Sequence, residues 1–456
     1  LKIKTILTAL FATTSFCSFA QQTLTDEYGL LIDSSHIISM FSDDSTESAI
    51  SSALSSIGNT WSINSTEMLR TCEWWEGEEP LGTIGSKINQ SSSIDNAEAI
   101  QRTCLQWSEY PKYYYGTAHI YLSNDGQLDK PVVVVQPYNV NLEDSGYSEQ
   151  QFYSDINQGG LATSLRSAGY DVILYRYKQQ DRGVEFNADG VKRLLDVIND
   201  KSGISSTSLV GLSMGGVVTR FALRELEKTG SLNKVATFVS FDAPHLGSNF
   251  PRSILDNTNR LLSKIDTSLC GLKGVCRDAR RKLEAIISKL NTKTFNELII
   301  NTPSGSSDRT ALLSKLASLG HVQTIPSLAL TNGAQSSTQG APNSILTSHF
   351  KLYRAWYNGG SEYFKVYTTP SVDNVSGGYA DFYQVFSDLI AGQEHPITPY
   401  VTIGQRHSFV STLSALAGSE NYWTEVAAYP SNNEEHMTLT YAKARKIREW
   451  LDTYQY

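Results

Sequence analysis

The sequence predicts an α/β protein with a mostly parallel central sheet and helices on both of its faces. Three observations carry that expectation. Short apolar, β-branched runs recur at 132–135, 171–177, 208–212 and 234–241, and each has the length and composition of a buried strand. Helix-like stretches around 152–167, 187–199 and 217–226 alternate with them, and this spacing implies parallel strands joined by right-handed crossovers. The third observation is Gly211-Leu212-Ser213-Met214-Gly215, a G-x-S-x-G pattern lying where a strand must turn sharply into a helix.

Residues 1–20 carry Lys2 and Lys4, an apolar stretch from Ile6 to Phe19 and the small-x-small signal Ser18-Phe19-Ala20. They read as a secretory signal peptide cut after Ala20, which implies a secreted or periplasmic protein. That apolar stretch is too short and too interrupted for a membrane anchor, and no later segment offers 18 unbroken apolar residues. Residues 21–115 form a Ser/Thr-rich, acidic N-terminal region, with 13 acidic and 2 basic side chains between 21 and 100. Its rings, among them Trp61, Trp74, Trp75, Trp107, Tyr114 and Tyr115, argue against full disorder because so much apolar area seeks burial. Beyond the signal the cysteines are Cys72, Cys104, Cys270 and Cys276, an even number in a chain bound for an oxidising compartment. Sequence nearness favours the pairs Cys72–Cys104 and Cys270–Cys276; the spacing does not suit a zinc site.

Residues 116–249 read as the first half of a catalytic core. An early antiparallel strand is expected at 119–122, closed by the turn Asn124-Asp125-Gly126. The strand 132–135 runs into Gln136-Pro137-Tyr138-Asn139-Val140, and the strand 234–241 ends in Asp242-Ala243-Pro244-His245-Leu246-Gly247-Ser248. Residues 250–325 read as a helical cap insertion with breaks near 271–274 and 301–307. The cap is basic: from Arg252 to Lys293 there are 10 Lys or Arg and 4 Asp or Glu, in a chain of net charge −8. Such a cap can attract an anionic lipid surface or close against the acidic N-terminal region. Its apolar positions Leu261, Leu262, Ile286 and Ile287 suit either a lipid-facing lid or the cap's own core. Residues 326–456 complete the core, with a last strand at 423–429 and a closing helix at 438–451, where Ala444, Ile447 and Leu451 recur at helical spacing.

The elbow GLSMGG, the strand end DAPHLGS and the loop after 132–135 resemble the lipase and esterase branch of the α/β-hydrolases, as found in secreted bacterial enzymes. A more distant similarity is to GPI inositol-deacylases, which carry a similar Pro-His-x-Gly strand end. The resemblance covers about 118–250 well and 326–456 loosely. It implies an α/β-hydrolase fold, serine-based acyl chemistry and no metal or organic cofactor. It also implies an oxyanion hole built from the backbone N–H groups of Met214 and Tyr138. Spacing alone allows Pro137 to Asn139 for the second donor, although Pro137 has no N–H to give.

With Ser213 as nucleophile, the acid and the histidine follow it in this fold, so His36 and His119 are poor candidates. His245 belongs to the strand-end motif and the resemblance makes it positional. His321, His349 and His395 lack a strand before and a helix after. His407 is the second choice and His436, on the loop between last strand and last helix, the first. The acid is less legible, because the strand at 326–331 ends in Asn332-Gly333-Ala334-Gln335 without a carboxylate. Asp242 ranks first, followed by Asp373 and Asp381.

These residues predict hydrolysis of a carboxylic ester with a hydrophobic acyl group through an acyl-enzyme, with a lipid interface as a candidate partner. An acyltransferase using the same triad and a non-catalytic binding protein on the same fold remain alternatives. An acidic pI of about 5.6 and the absence of a basic stripe with interleaved aromatics disfavour nucleic acid as a partner.

Overall fold

The computed structural model describes residues 102–108, 114–139, 148–200, 202–266, 274–301, 306–336, 346–353, 361–391, 397–402 and 406–455. The expected signal peptide and most of the acidic N-terminal region lie outside the described residues, as do Cys72 and Cys270 and therefore one partner of each expected disulfide.

The chain runs β1 (Arg102–Ser108), β2 (Tyr114–Tyr121), β3 (Pro131–Val135), α1 (Glu149–Ile156), α2 (Leu161–Ser167), β4 (Asp171–Tyr177), a 3-10 turn (Gln180–Arg182), α3 (Val184–Asn199), β5 (Thr207–Leu212), α4 (Met214–Thr229) and β6 (Val235–Phe241). Four helices follow: α5 (Arg252–Asp266), α6 (Gly274–Leu290), α7 (Lys293–Leu298) and α8 (Asp308–Leu319). Then come β7 (Ser327–Leu330), β8 (Leu346–Tyr353), β9 (Ser361–Tyr367), α9 (Pro370–Asp373), β10 (Gly377–Ala380), α10 (Phe382–Ala391), β11 (Ile397–Thr402), β12 (His407–Ser411), α11 (Thr412–Ala415), β13 (Glu425–Ala427) and α12 (Tyr441–Tyr454).

Among the described residues, eight strands form the central sheet in the order β1-β2-β4-β3-β5-β6-β7-β13. The pairs β1/β2 and β2/β4 are antiparallel, and the pairs from β4/β3 to β7/β13 are parallel. Alternation along the strands feeds two cores. Val133, Val135, Leu209 and Phe238 pack with residues of α3, α4 and α8 on one face. On the other, Val132, Val134, Val210, Leu212, Val239 and Phe241 pack with residues of α1, α2 and α12. A parallel sheet covered on both faces needs such continuous apolar runs, which is why these strands were legible.

Three differences from the sequence reading have physical causes. The helix expected at 152–167 is two helices, because Gly160 takes φ 75° and the Asn157 side chain accepts the Thr163 N–H at 3.0 Å in the gap. The sheet also begins earlier than residue 116, since β1 adds an edge strand from within the region read as an N-terminal extension and β2 starts at Tyr114. Finally, the described residues of 346–411 contribute no strand to the central sheet. They form a three-stranded sheet, β11-β8-β9, and the pair β10-β12, inserted between β7 and β13. This second insertion shares one core with the first: Phe250, Ile254, Leu261, Leu283 and Phe295 pack with Phe364, Val366, Tyr383 and Phe386. The cap is thus made of two segments, and Leu261 lies in its interior with no exposed area. Among the described residues no helix is long and apolar enough to cross a membrane.

Candidate active site

Ser213 sits between β5 and α4 with φ 49° and ψ −121°, a conformation that L-residues adopt only under constraint. The turn is tight enough that a Cβ at Gly211 would stand 2.5 Å from the Gly216 Cα, while one at Gly215 would overlap the Val135 carbonyl oxygen at the end of β3. The two glycines therefore let the elbow fold back on itself and press against the strand that leads to Tyr138. The Ser213 N–H donates to the Phe241 carbonyl at 2.9 Å, and its own carbonyl accepts from Gly216 N–H at 2.9 Å. These bonds hold the strained serine between two rigid elements.

The structure brings Ser213, His436 and Asp242 into one hydrogen-bonded chain. His436 Nε2 is 2.7 Å from Ser213 Oγ, and His436 Nδ1 is 2.7 Å from Asp242 Oδ2. Ser213 and His436 are each 7% exposed and Asp242 is fully buried. Asp242 follows β6 directly, with φ 41°; its N–H donates to the Leu330 carbonyl at 2.8 Å, which ties the turn to β7. Its other oxygen, Oδ1, accepts the Asn332 N–H at 2.9 Å and the Thr331 hydroxyl at 3.2 Å. A carboxylate bonded at both oxygens cannot rotate away from the imidazole.

Asn332 stands at the end of β7, where the sequence reading noted the missing carboxylate. Its amide Nδ2 donates to the carbonyls of Glu435 (2.6 Å), His436 (2.8 Å) and Thr438 (3.0 Å), so it clamps the histidine loop from below. Its Oδ1 accepts from Lys443 Nζ, which also pairs with Glu434. Burial pushes the Lys443 ammonium below its ordinary value, and the neighbouring Glu434 opposes that. A buried lysine in the closing helix leaves no signal in the sequence, whereas a polar residue directly after an apolar strand does.

The second insertion reaches the same loop. The Tyr379 N–H donates to the Glu434 carbonyl and its carbonyl accepts the His436 N–H, both at 2.9 Å. Gly378 lies against Asp242: a Cβ there would overlap Oδ2. Phe409 of β12 packs its ring edge-on to the His436 ring at 4.8 Å. It also lines a cleft of about 630 Å³ whose walls include Leu246, Ile300, Val372, Ser376 and Leu413.

The other candidates lie elsewhere. Asp373 is buried among Asn249 Nδ2 and the Tyr383 hydroxyl, each at 2.7 Å, and accepts the Thr369 N–H, so its oxygens are spent within the cap. Asp381 is at the surface, 3.8 Å from Arg406 Nε. Neither contacts the imidazole of His436, because both belong to the inserted segment and not to a central strand end. His407 is buried between Phe382 and Tyr383, and burial lowers it to about 4. His245 bonds Ser240 Oγ at 2.9 Å and burial holds it well below the imidazole range, which suits a structural neutral ring. His321 stacks on Tyr422, and His119 pairs with Glu149 at 3.1 Å. His36 and His395 lie outside the described residues. Among the described residues no group of three His, Cys, Asp or Glu side chains is placed to hold a metal ion.

A family model described as "Putative serine esterase (DUF676)" matches residues 175–299, from the end of β4 through α7. Similar solved structures include Est1E from Butyrivibrio proteoclasticus, at 10% identity over 31% of this chain and 51% of that one, with a TM-score of 0.24. EstE1, a thermophilic carboxylesterase cloned from a metagenomic library, matches at 11% identity over 52% and 70%, TM-score 0.31. XC6422 from Xanthomonas campestris, an a/b serine hydrolase without lid, matches at 14% over 32% and 62%, TM-score 0.24. The chain thus spans about half the length of Est1E. Its own sheet order, with a strained serine after β5 and a carboxylate and an imidazole following it in chain order, is that of the α/β-hydrolase fold.

Proposed function

We propose that this protein is a serine hydrolase that cleaves carboxylic esters with hydrophobic acyl groups, as a lipase or esterase does. One observation carries the reading: a serine in a strained elbow whose Oγ is 2.7 Å from an imidazole that is itself 2.7 Å from a buried carboxylate. Ser213 Oγ attacks the ester carbonyl carbon while His436 Nε2 takes its proton. The tetrahedral intermediate collapses as the C–O bond to the alcohol breaks and that oxygen takes the proton back from Nε2. Water, deprotonated by the same nitrogen, then attacks the acyl-enzyme and releases the acid. Asp242 fixes the tautomer, keeping the Nδ1 proton toward itself, and stabilises the imidazolium formed in each half-reaction.

The oxyanion donors in this reading are the backbone N–H groups of Met214 and Tyr138. Met214 is the first residue of α4, so its N–H has no partner within the helix and lies at the positive end of the helix dipole. Around Tyr138, Gln136 donates to the Tyr175 carbonyl, Asn139 donates to Gln180 Oε1 and Pro137 has no N–H, which supports Tyr138 as the loop's donor. Export to the periplasm or medium belongs to the same proposal, supported by the segment 1–20. So does an anionic lipid surface as partner, supported by the basic composition of 252–293.

The test is release of p-nitrophenol from a chain-length series of p-nitrophenyl esters by the wild-type protein and Ser213→Ala. Release that vanishes in the variant is expected, and the preferred chain length separates esterase from lipase. Release that persists in Ser213→Ala, or none from wild type with lipid micelles present, refutes the reading.

A further inference from the structure

The loop that carries Tyr138 is tied to the cap through the tyrosine's own side chain. The phenol donates to Asp181 Oδ1 at 2.6 Å, lies 3.1 Å from Thr292 Oγ1 and is 3.4 Å from the Lys289 carbonyl. Three segments meet at that one oxygen: the loop after β3, the 3-10 turn after β4, and the joint between α6 and α7. Thr292 is the N-cap of α7, its hydroxyl accepting the Phe295 N–H at 3.2 Å, so the phenol touches the capping residue of a cap helix. The Tyr138 ring also stands 6.5 Å from Phe295, which belongs to the cap core.

A second tie runs in parallel. Asn139 and Gln180 exchange two bonds of 2.9 Å, one from the Asn139 N–H to Gln180 Oε1 and one from Gln180 Nε2 to the Asn139 carbonyl. The turn that holds Gln180 is itself gripped by α7, through Gly183 N–H to Thr294 Oγ1 (2.7 Å) and Val184 N–H to Glu297 Oε2 (2.6 Å). Thr294 and Glu297 are buried at this contact. On its other side the loop is fixed by Gln136 N–H to the Tyr175 carbonyl, at 3.1 Å. Tyr138 therefore lies between two anchored residues, Gln136 and Asn139, and its side chain adds a third tie through the phenol.

We propose that the Tyr138 side chain is a positioning element: its hydroxyl, held by Asp181 and Thr292, lets the seating of the cap set the orientation of the Tyr138 amide in the oxyanion hole. This rests on the serine-hydrolase reading of Ser213. With α7 seated against this loop, Thr292 and Asp181 together lock the phenol and aim the amide at the developing oxyanion; a cap lifted at this joint withdraws Thr292 and loosens it. The device makes acyl transfer depend on closure without placing any cap side chain on the reacting atoms. Displacing a donor costs rate in the transition state and leaves ground-state binding nearly unchanged.

The experiment compares wild type, Tyr138→Phe, Asp181→Ala and Thr292→Ser in two assays. One is the second-order rate of inactivation by diethyl p-nitrophenyl phosphate, which phosphorylates the serine through the same oxyanion hole. The other is kcat and KM on p-nitrophenyl butyrate. Tyr138→Phe and Asp181→Ala are expected to lose on the order of 10-fold in both phosphorylation rate and kcat, because the donor is displaced rather than deleted. KM should stay within about two-fold, and Thr292→Ser, which keeps the hydroxyl, should match wild type. A purely structural joint would instead lower the melting temperature or raise KM with kcat and phosphorylation rate unchanged, and that result overturns the inference. If Tyr138→Phe fails to fold, Asp181→Ala, an exposed position, decides the matter alone. Wild type that does not react with the phosphate ester at Ser213 removes the hydrolase reading itself, an outcome distinct from equal reactivity of wild type and variants.

Discussion

Gly378→Ala tests whether the second insertion holds the catalytic geometry. A Cβ at this position would overlap Asp242 Oδ2 and stand 3.1 Å from its Cγ and 3.2 Å from Asn332 Cβ. The struck oxygen is the one bonded to His436 Nδ1 at 2.7 Å. Two movements relieve the overlap. Either the carboxylate retreats by roughly 1 Å, which breaks its bond to the imidazole, or β10 retreats and takes the histidine loop with it through the two Tyr379 bonds of 2.9 Å. The first strips the base of its orienting partner, and the second displaces it relative to Ser213. Misplacement of this size costs on the order of 10²-fold in kcat, and complete loss of the acid's orienting role about 10⁴-fold, so the expected range is 10²- to 10⁴-fold with KM little changed. The assay is kcat on p-nitrophenyl butyrate, referenced to protein whose thermal melt and far-ultraviolet spectrum show it folded. A folded variant whose kcat stays within about three-fold of wild type would refute the argument that β10 and Asp242 are in rigid contact.

Asp242→Asn is expected to lower kcat by about 10⁴-fold, since an amide at this position can leave the imidazole in the wrong tautomer. Asp381→Asn, at an exposed site 3.8 Å from Arg406, should leave turnover unchanged, and kinetics on the pair checks the acid assignment directly. Asn332→Ala removes the donors to three buried or half-buried carbonyls of the histidine loop and the acceptor of Lys443. A loss of about 2–4 kcal/mol in denaturant unfolding is expected, together with lower kcat. His407 gives the pH prediction. Its folded value of about 4 lies below the unfolded imidazole value, so the unfolded chain binds the extra proton first and stability falls as pH drops from about 6.5 toward 4. Asp373 opposes this shift without cancelling it. The loss amounts to roughly 3 kcal/mol across that window, and His407→Phe, set among Phe382 and Tyr383, should flatten this part of the stability profile measured by urea unfolding.

How much was legible follows from what each element buries. β3, β5 and β6 are covered on both faces, so they appear in the sequence as continuous apolar runs, and the elbow appears because its glycines answer a steric demand. Ser213 and His436 followed from chain order and from the elements around them. Asp242 was only one of three carboxylates, because its role depends on Oδ1 being taken by Asn332 and Thr331 and Oδ2 facing the imidazole, contacts across 89 to 194 residues of sequence. The second insertion was misread as core for a similar reason. β9 has the alternation Tyr363, Phe364, Lys365, Val366, Tyr367 of a half-buried strand, and nothing local shows whether its apolar face meets the central sheet or α5. Only the packing of Phe364 and Val366 with Ile254 and Leu261 decides that.

The two insertions hold opposite sides of one site. The first bonds the loop of the expected oxyanion donor through Tyr138, and the second bonds the histidine loop through Tyr379 and Phe409. Between them runs a chain of ring contacts: Tyr138 to Phe295, Phe295 to Phe250, Phe250 to Phe382, Phe382 to Phe409 and Phe409 to His436. Neither end is a strand of the sheet; both are loops, which the sheet alone would leave with few fixed contacts. A loop histidine with a wandering ring loses alignment with its serine, and a loop amide that turns loses its aim at the oxyanion. A close-packed cap core touching both loops restrains each at the cost of closing only two long excursions of chain, and closure entropy grows slowly with their length. In the proposed reaction the cap is then part of the catalytic scaffold as well as a cover. Disturbing its shared core, as Phe250→Ala would, should lower kcat even though Phe250 contacts neither Ser213 nor His436.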